Sequence, residues 1–399
     1  MSFFDSVTPC FDDPIMVLPA AFAKDPRAFK INLGIGAYQD SSGKPVFLSC
    51  VKEAEKQLFS KEQDKEYLPI PGDSQYISLS SELIFGSDLI KKLAGHLYTA
   101  QSVGGTSALR IGADFLSQEI SRIVYLPTPT WQNHTAIFKR SGMGVRNYRY
   151  YDPVNFSLDM DGLLEDIGRM PEKAIIVLHA ICHNPSGIDP TPQQWQEISA
   201  CIKKQKIVPF LDIAYQGFAE GPEKDAESIR YFANEGHEML VANSFSKNFG
   251  LYCERAGTIS VIAHEKSALL RVESQIRQII RSSYSNPPRH GAKVIAMILQ
   301  DPVLKMGWEK ELSEMRSRIQ KMRKGLIGLL QDKMPGRFFD FLRNQQGFFS
   351  FLGLTEKQVE KIIAEYAIYM PSNGRINVAG LNESNLEYVA SALTEVFQQ

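Results

Sequence analysis

The sequence predicts an α/β protein built on a mainly parallel sheet, and three observations support that prediction. Short apolar runs that suit buried strands alternate along the chain with helical patterns. Two of these runs, 173–180 and 207–214, are apolar at nearly every position, as strands covered by helices on both faces are. Polar side chains follow several strand ends, where parallel sheets bind their ligands.

Composition limits the class of protein. The 399 residues are 44% hydrophobic, which is enough for a large core and favours two domains. The 44 basic and 45 acidic residues nearly cancel, so neither nucleic acid nor a membrane surface is expected as a partner. No run approaches the ~18 apolar residues of a membrane helix. The expected ligand is a small molecule whose charge is balanced by oppositely charged side chains within its binding site.

The cysteines and the first residues indicate the compartment. The five cysteines are scattered without metal-ligand spacing, which predicts neither a disulfide framework nor a metal site. No basic segment followed by a long apolar run opens the sequence, so a cytoplasmic protein is expected. Residues 1–12 lack a period and are expected to be either a disordered terminus or an arm lying on another subunit.

Two early segments are candidates for ligand contact. The strand-like run 30–38 carries Gly34 and Gly36, and glycine there indicates either a plain bulge or close approach of the backbone to a ligand. The loop 65–72 carries Tyr67, whose hydroxyl is a candidate contact, although an ordinary loop tyrosine is the simpler interpretation.

Gly104-Gly105-Thr106 predicts a phosphate cradle at the start of a helix. Two glycines and a threonine there leave backbone N–H groups free at the positive end of the helix dipole. The segment lacks the G-K-[ST] of a P-loop, so a nucleoside triphosphate is not favoured. A tight turn with an N-cap is the alternative.

Several side chains fall at or just past strand ends in the middle of the chain. Strands are predicted at 123–126, 173–180, 207–214 and 239–242, and a capping box at Thr191 opens a helix among them. The side chains at these strand ends are Trp131, Asn184, Asp212, Tyr215 and Lys247. Their coincidence at one edge of a sheet is the strongest argument for a site.

The C-terminal part predicts a second, smaller α+β domain. A long amphipathic helix opens at Asp301-Pro302 and is expected to span both domains. It is followed by further elements: a strand at 347–351, a helix capped by Thr355, a strand at 375–379 and a helix at 385–397. We place the small domain at 13–45 and 315–399, and the large, ligand-binding domain at 46–314.

Lys247 is a candidate Schiff-base residue. A buried ammonium loses its proton readily, and the neutral amine attacks carbonyls. Ser244 and Arg255 stand close by in the sequence and can bind a phosphate. Asp212 can keep a pyridine nitrogen protonated, and Trp131 can stack on such a ring. Each has an ordinary alternative as a loop, cap or core residue, but together they describe pyridoxal phosphate chemistry.

The chain resembles the class I aminotransferases of fold type I, and among them the aspartate and aromatic amino acid aminotransferases. The matching motifs run nearly end to end: 31–36, 103–106, 130–134, 182–190, 214–218, 244–252, 284–288 and 374–380. The resemblance implies a large domain with a mainly parallel seven-stranded sheet and a smaller α+β domain. It also implies pyridoxal 5'-phosphate as cofactor.

The resemblance implies roles for the residues around the cofactor. Lys247 would hold it as a Schiff base and move the substrate's α-proton. Asp212, backed by His134, would pair with the pyridine nitrogen, and Tyr215 and Asn184 would contact the ring oxygen. The residues implied for the phosphate are Gly105, Thr106, Ser244, Ser246, Arg255 and, from a neighbouring subunit, Tyr67.

The resemblance also implies how substrate is held. Arg375, with Asn184 and the backbone at Gly36, would clamp the α-carboxylate, with Trp131 alongside. Arg281 of a neighbouring subunit would meet a side-chain carboxylate, since the guanidinium fork binds carboxylates bidentately. A homodimer with shared active sites is therefore expected.

Three small departures leave the substrate range open. Ser107, Pro69 and Ser186 stand where the family usually has glycine, glycine and threonine. The expected function is reversible ping-pong amino transfer between L-aspartate and 2-oxoglutarate, within amino acid metabolism. An aromatic amino acid aminotransferase is the alternative. A regulatory protein that binds the cofactor without turnover is disfavoured by the intact set of site residues.

Overall fold

The computed structural model describes residues 2–9, 14–61 and 64–398. Its helices are α1 Pro14–Lys24, α2 Ser49–Lys61, α3 Ser74–Phe85, α4 Ser87–Lys92, α5 Gly104–Glu119, α6 Gln132–Arg140, α7 Met160–Gly168, α8 Pro192–Gln205, α9 Glu227–Asn234, α10 Lys266–Ser283, α11 His290–Gln300, α12 Pro302–Lys333, α13 Glu356–Tyr366 and α14 Leu386–Phe397. Its strands are β1 Ile31–Asn32, β2 Leu97–Val103, β3 Ile123–Thr128, β4 Gly144–Arg149, β5 Tyr151–Asp152, β6 Ser157–Leu158, β7 Ile175–His179, β8 Val208–Ile213, β9 Met239–Ser244, β10 Ala256–Ile262, β11 Phe349–Phe351, β12 Ile368–Tyr369 and β13 Arg375–Asn377.

A seven-stranded sheet forms the centre of the fold. Its strand order is β2-β10-β9-β8-β7-β3-β4, and β10 runs antiparallel to both of its neighbours. The other strand pairs are parallel. The predicted α/β class with a mainly parallel seven-stranded sheet is confirmed. Apolar clusters cover both faces of the sheet, which explains why β7, β8 and β9 are buried along almost their whole length.

Register brings the carboxyl ends of the central strands together. Asp212 in β8 lies opposite His179 in β7 and Ala242 in β9. The antiparallel strand β10 closes the other side, because its residues 256–257 pair with the last residues of both β2 and β9. Helix α5 begins immediately after β2. The end of β9 and the start of α5 are therefore neighbours at one edge of the sheet.

Local signals fix the helix ends as the sequence predicts. Thr191 forms a complete capping box at α8, and Thr355 forms one at α13. The carboxylate of Asp301 accepts hydrogen bonds from two backbone N–H groups at the start of α12. The predicted long helix is confirmed, with 32 residues. One stripe of α12 is buried, from Leu304 to Leu330.

The smaller part of the fold contains two short sheets. Strand β1 pairs in parallel with β12, and β11 pairs antiparallel with β13. Only Ile31–Asn32 of the predicted strand 30–38 is extended in a sheet, and the remainder is irregular. The domain boundaries at 45/46 and 314/315 stay predictions, since the second falls inside the continuous helix α12.

The predicted N-terminal arm, 1–12, lies partly outside the described residues. Residues 2–9 are exposed, and Phe3 and Phe4 lie among the most exposed large apolar side chains. Contact of the arm with a partner stays a prediction. Within the described ranges, no helix combines the length and apolarity that a membrane crossing needs. The same part of the chain holds no group of three or more acidic, histidine or cysteine side chains suited to a metal ion.

Candidate active site

A cavity of about 250 Å³ opens at the carboxyl ends of the central strands. Most of the residues predicted for the site line it: Gly36, Gly105, Thr106, Trp131, Asn184, Asp212, Tyr215, Ser244, Ser246, Lys247, Arg255 and Arg375. The structure therefore places in one space side chains that the sequence spreads over most of the chain. A larger groove elsewhere contains none of these residues.

Lys247 lies in the turn that follows β9 and is half-buried. Burial lowers the pKa of its ammonium to about 8, and the positive charges of Arg255 and Arg375 act in the same direction. The carboxylate of Asp212 opposes this shift but does not cancel it. The Lys247 Nζ lies 5.0 Å from the ring centroid of Tyr215. A lysine with this pKa is partly neutral near pH 7, which a nucleophile or base requires.

Asp212 is buried at the end of β8 and stays ionised. Burial alone would raise its pKa, but a hydrogen bond from His134 and the positive charge of Lys247 hold the pKa below its usual range. The His134 Nε2 to Asp212 Oδ2 distance is 3.0 Å. His134 itself is fully buried behind the cavity wall rather than lining it. It therefore contacts Asp212 from the side opposite the cavity.

A directional chain of hydrogen bonds fixes the tautomer of His134. The backbone N–H of Asn184 donates to His179 Nδ1, so His179 Nε2–H is left to donate to Thr130 Oγ1, 3.2 Å away. The Thr130 hydroxyl then donates to His134 Nδ1 at 2.8 Å, which leaves His134 Nε2–H for Asp212. Burial lowers the pKa of His179 to about 3, which keeps this ring neutral.

The start of α5 and the loop after β9 form an anion cradle. A Cβ added at Gly105 would lie 2.8 Å from the Ser244 Cβ, so only glycine lets the two elements approach this closely. Ser244 Oγ is 3.2 Å from Ser246 Oγ, and Arg255 Nη1 donates to Ser246 Oγ at 3.1 Å. The cavity is thus lined by the start of α5, with its free backbone N–H groups, and by the hydroxyls of Ser244 and Ser246 and the guanidinium of Arg255. This is the set of donors that a phosphate needs.

Arg375 forms a second cationic centre in the lining of the cavity. Its side chain is buried, its Nη1 donates to Asn184 Oδ1 at 3.2 Å and its Nη2 donates to the Gly34 carbonyl at 2.6 Å. The guanidinium carbon lies 4.1 Å from the ring centroid of Phe349. The backbone acceptor is Gly34, whereas the predicted Gly36 lines the cavity nearby. This packing holds the guanidinium plane in one orientation.

Tyr215 also lines the cavity. Burial raises the pKa of its hydroxyl well above its ordinary value, so it stays protonated at neutral pH. Its ring packs edge-on against Phe349 with centroids 5.7 Å apart. The hydroxyl is therefore a neutral donor on a side chain that packing holds in place.

Tyr67 and Arg281 do not lie in the cavity of their own chain. The Tyr67 side chain is 82% exposed, and Arg281 contacts Ser285 and lines a separate shallow depression beside Ile70. Both had been predicted to act in a neighbouring subunit's site. Their exposure is compatible with that role, which stays a prediction.

Six cavity residues were not assigned a role from the sequence: Leu109, His179, Ile181, Ala214, Tyr252 and Phe349. His179 is the last residue of β7 and lies within the predicted strand 173–180, and its place near the end of that strand could have indicated it. Tyr252 lies inside the motif 244–252, although no role was derived for it. Phe349 gave no sequence signal beyond an apolar strand position.

The fold and this cavity are those of an aminotransferase. The family model for "Aminotransferase class I and II" matches residues 28–393, in agreement with them. The chain belongs to this family. It is 45% identical to an aspartate aminotransferase of Haemophilus influenzae, over 98% of this chain and 100% of the relative.

Solved structures agree with this assignment. An aromatic-amino-acid aminotransferase of Burkholderia pseudomallei, covalently bound to pyridoxal phosphate, superposes with a TM-score of 0.96 at 43% identity and covers 99% of this chain and 100% of its own. A psychrophilic aromatic amino acid aminotransferase of Psychrobacter sp. B6, cocrystallised with aspartic acid, gives a TM-score of 0.97 at 40% identity, with both chains fully covered.

Proposed function

We propose that this chain is a pyridoxal 5'-phosphate-dependent aminotransferase that moves an amino group between L-aspartate and 2-oxoglutarate, giving oxaloacetate and L-glutamate in a ping-pong cycle. One observation carries the proposal: a single cavity joins a lysine of lowered pKa, a buried carboxylate and two arginines, Arg255 and Arg375. The curated relative at 45% identity bears the name of the same activity.

The residues present fit this cofactor. The close approach that Gly105 permits at Ser244, with Arg255 beside it, suits a phosphate. Asp212, kept ionised by His134, suits a protonated pyridine nitrogen, and Lys247 suits covalent attachment to an aldehyde. When bound, the cofactor supplies an electron sink and carries the amino group between the two substrates.

The protein's own groups would bind substrate and move the proton. Arg375 binds the α-carboxylate, and its contacts with Asn184 and Phe349 orient the amino acid. Lys247 Nζ, once free, would take the proton from the substrate Cα and give it up again in a later step of the cycle. Tyr215, whose hydroxyl stays protonated, would donate a hydrogen bond to the cofactor.

An absorbance spectrum of the purified protein tests cofactor and reaction together. A band near the visible edge that shifts on addition of L-aspartate and returns with 2-oxoglutarate is the expected result. A protein that gains no such band even with added pyridoxal phosphate would contradict the proposal.

Substrate preference is tested by comparing kcat/KM for aspartate and phenylalanine. The aromatic alternative is favoured by the names of the two solved relatives, which reach TM-scores of 0.96 and 0.97. A large excess of kcat/KM for phenylalanine would replace aspartate by the aromatic substrate while leaving the aminotransferase proposal in place.

The working unit we propose is a homodimer with shared active sites. Tyr67 and Arg281 are exposed in the single chain, and Arg281 lines a depression beside Ile70, three residues after Tyr67 in the sequence. A partner's cavity would bury both side chains and bring Arg281 to a carboxylate of the bound substrate. A cytoplasmic location stays a prediction, and the four cysteines in the described part of the chain are free thiols.

Hybrid dimers provide a direct test of the shared site. Lys247→Ala and Arg281→Ala chains are each expected to be nearly inactive alone on aspartate. If each site takes Lys247 from one chain and Arg281 from the other, a hybrid holds one intact site, and random re-association of equal amounts restores about a quarter of wild-type activity. No recovery on mixing, with exchange verified by mass, would refute the sharing.

A further inference from the structure

The segment Gly34–Tyr38, called the strap below, passes the cavity, where Gly36 forms part of the wall. Side chains from the C-terminal part of the chain hold it from one side. Arg375 Nη2 donates to the Gly34 carbonyl at 2.6 Å, and Asn377 Nδ2 donates to the carbonyls of Ile35 and Ala37 at 2.6 and 2.8 Å. Arg318 Nε donates to the Tyr38 hydroxyl at 2.8 Å.

A different hydrogen bond reaches the strap from the loop that carries Lys247. The backbone N–H of Tyr38 donates to the hydroxyl oxygen of Tyr252 at 2.9 Å. Among the hydrogen bonds of the residues that the structure describes, it is the one between the strap and the loop 245–255. The carbonyl of Tyr252 also accepts from Arg255 Nη1 at 2.9 Å. Tyr252 thus contacts the strap with its side chain and the anion cradle with its backbone.

The chemistry of the Tyr252 hydroxyl suits a contact at the cavity wall. Its oxygen accepts from Tyr38, and its own hydrogen has no acceptor among the described residues. Because Tyr252 lines the cavity, this hydrogen is available to what the cavity binds. Burial raises the pKa of Tyr252 to about 12, so the group stays a neutral donor and acceptor at working pH.

We propose that Tyr252 is a positioning residue that sets the distance between the strap and the lysine loop, and so orients the Gly36 backbone and Arg375 for the substrate carboxylate. This inference rests on the proposed function. The three other tethers join the strap to α12 and β13, so they move with it if these elements shift as a unit. Among the described residues, the hydrogen bond to Tyr252 is the one that joins the strap to the loop carrying Lys247 and Arg255.

The test is Tyr252→Phe in the cofactor-loaded enzyme, since this change keeps the ring and removes the acceptor. We expect hydrogen exchange at the residue 38 amide to become about tenfold faster, as suits the loss of one hydrogen bond. The KM for aspartate should rise about threefold to tenfold, with kcat changed less than KM. The Kd for pyridoxal phosphate should stay within about twofold, because the acceptor for Arg255 is a main-chain carbonyl that the substitution keeps.

Tyr38→Phe is the matched control. It removes the contact with Arg318 but keeps the residue 38 N–H and its Tyr252 acceptor, so exchange at that amide should stay near the wild-type rate. Unchanged exchange in Tyr252→Phe, or an equal increase in both variants, would overturn the tether. Faster exchange with unchanged KM would overturn the positioning role. Failure of the proposed function is distinguished by wild-type protein that shows no half-reaction with aspartate, since exchange is measured without turnover.

Discussion

Lys247 should destabilise the protein that contains it. Its ammonium is half-buried, the positive charges of Arg255 and Arg375 add to the cost, and Asp212 only partly offsets it. Methionine has a similar length and no charge, so Lys247→Met removes the penalty while filling the same space. We therefore predict that the cofactor-free variant is more stable than cofactor-free wild type at neutral pH.

The magnitude follows from the pKa. Folding lowers the pKa of Lys247 from its ordinary value of 10.5 to about 8, and one pKa unit corresponds to about 1.4 kcal/mol. Below pH 8 the charge is present in both states, so the folded state carries about 3 kcal/mol of cost, or about 2 kcal/mol after allowing for partial exposure. As pH rises from 8 towards 10.5, the folded state releases its proton first and the cost disappears.

The assay is the unfolding midpoint of both proteins, measured without cofactor at equal protein concentration across this pH range. The advantage of Lys247→Met should be greatest near pH 7 and shrink towards pH 10. Lys310→Met serves as control, because Lys310 has a side chain that is 78% exposed. A variant less stable than wild type at pH 7, or a difference independent of pH, would refute the reasoning.

Three further predictions concern other parts of the molecule. Gly105→Ala should raise the Kd for pyridoxal phosphate at least tenfold in a cofactor titration, because its Cβ would lie 2.8 Å from that of Ser244; unchanged affinity would contradict the cradle. Asp189→Asn should gain stability relative to wild type in thermal unfolding as pH rises from about 3.8 to about 7, because burial raises the pKa of Asp189 from 3.8 to about 7 and the charge that the wild type must then bury costs more over that range; a constant difference would contradict this. Thr130→Val should lower kcat/KM for aspartate by a factor of about two to ten, because it removes the hydroxyl that orients His134; an unchanged value would mean that the ring is held by packing alone.

Much of the fold was predictable because its signals are local. Each capping box, at Thr191 and at Thr355, is visible in four consecutive residues. The buried strands β7 and β8 are visible as apolar runs. The coincidence of Asp212 with other polar side chains at strand ends needed only the rule that parallel strands end at one edge.

The edge of the sheet was harder to predict for a physical reason. Strand β4, Gly144–Arg149, pairs on one side only and is mostly exposed, so its sequence carries little apolar signal. Strand β2, Leu97–Val103, buries polar residues such as Gln101 and Ser102, which is the opposite of what an apolar pattern seeks. In both cases neighbouring elements, not the segment itself, determine the extended structure.

The contacts that complete the site join distant parts of the chain. The hydrogen bond between Tyr38 and Tyr252, and the chain from His179 through Thr130 to His134, depend on how elements are placed in space. No spacing in the sequence encodes such distances. The resemblance to a family located these positions but did not say which atoms meet.

The antiparallel strand of the seven-stranded sheet, β10, has a consequence for how the site is assembled during folding. Because β9 and β10 form a hairpin, Ser244, Lys247 and Arg255 are brought together by a short loop closure, which is fast. Gly105 arrives from a remote part of the chain and meets Ser244 only when β2 adds to the far side of β10. The lysine half of the site can thus form early, whereas the glycine half waits for a non-local pairing. Tight binding of the phosphate therefore requires that β2 has paired with β10, so the cofactor is expected to bind tightly only to fully folded chains.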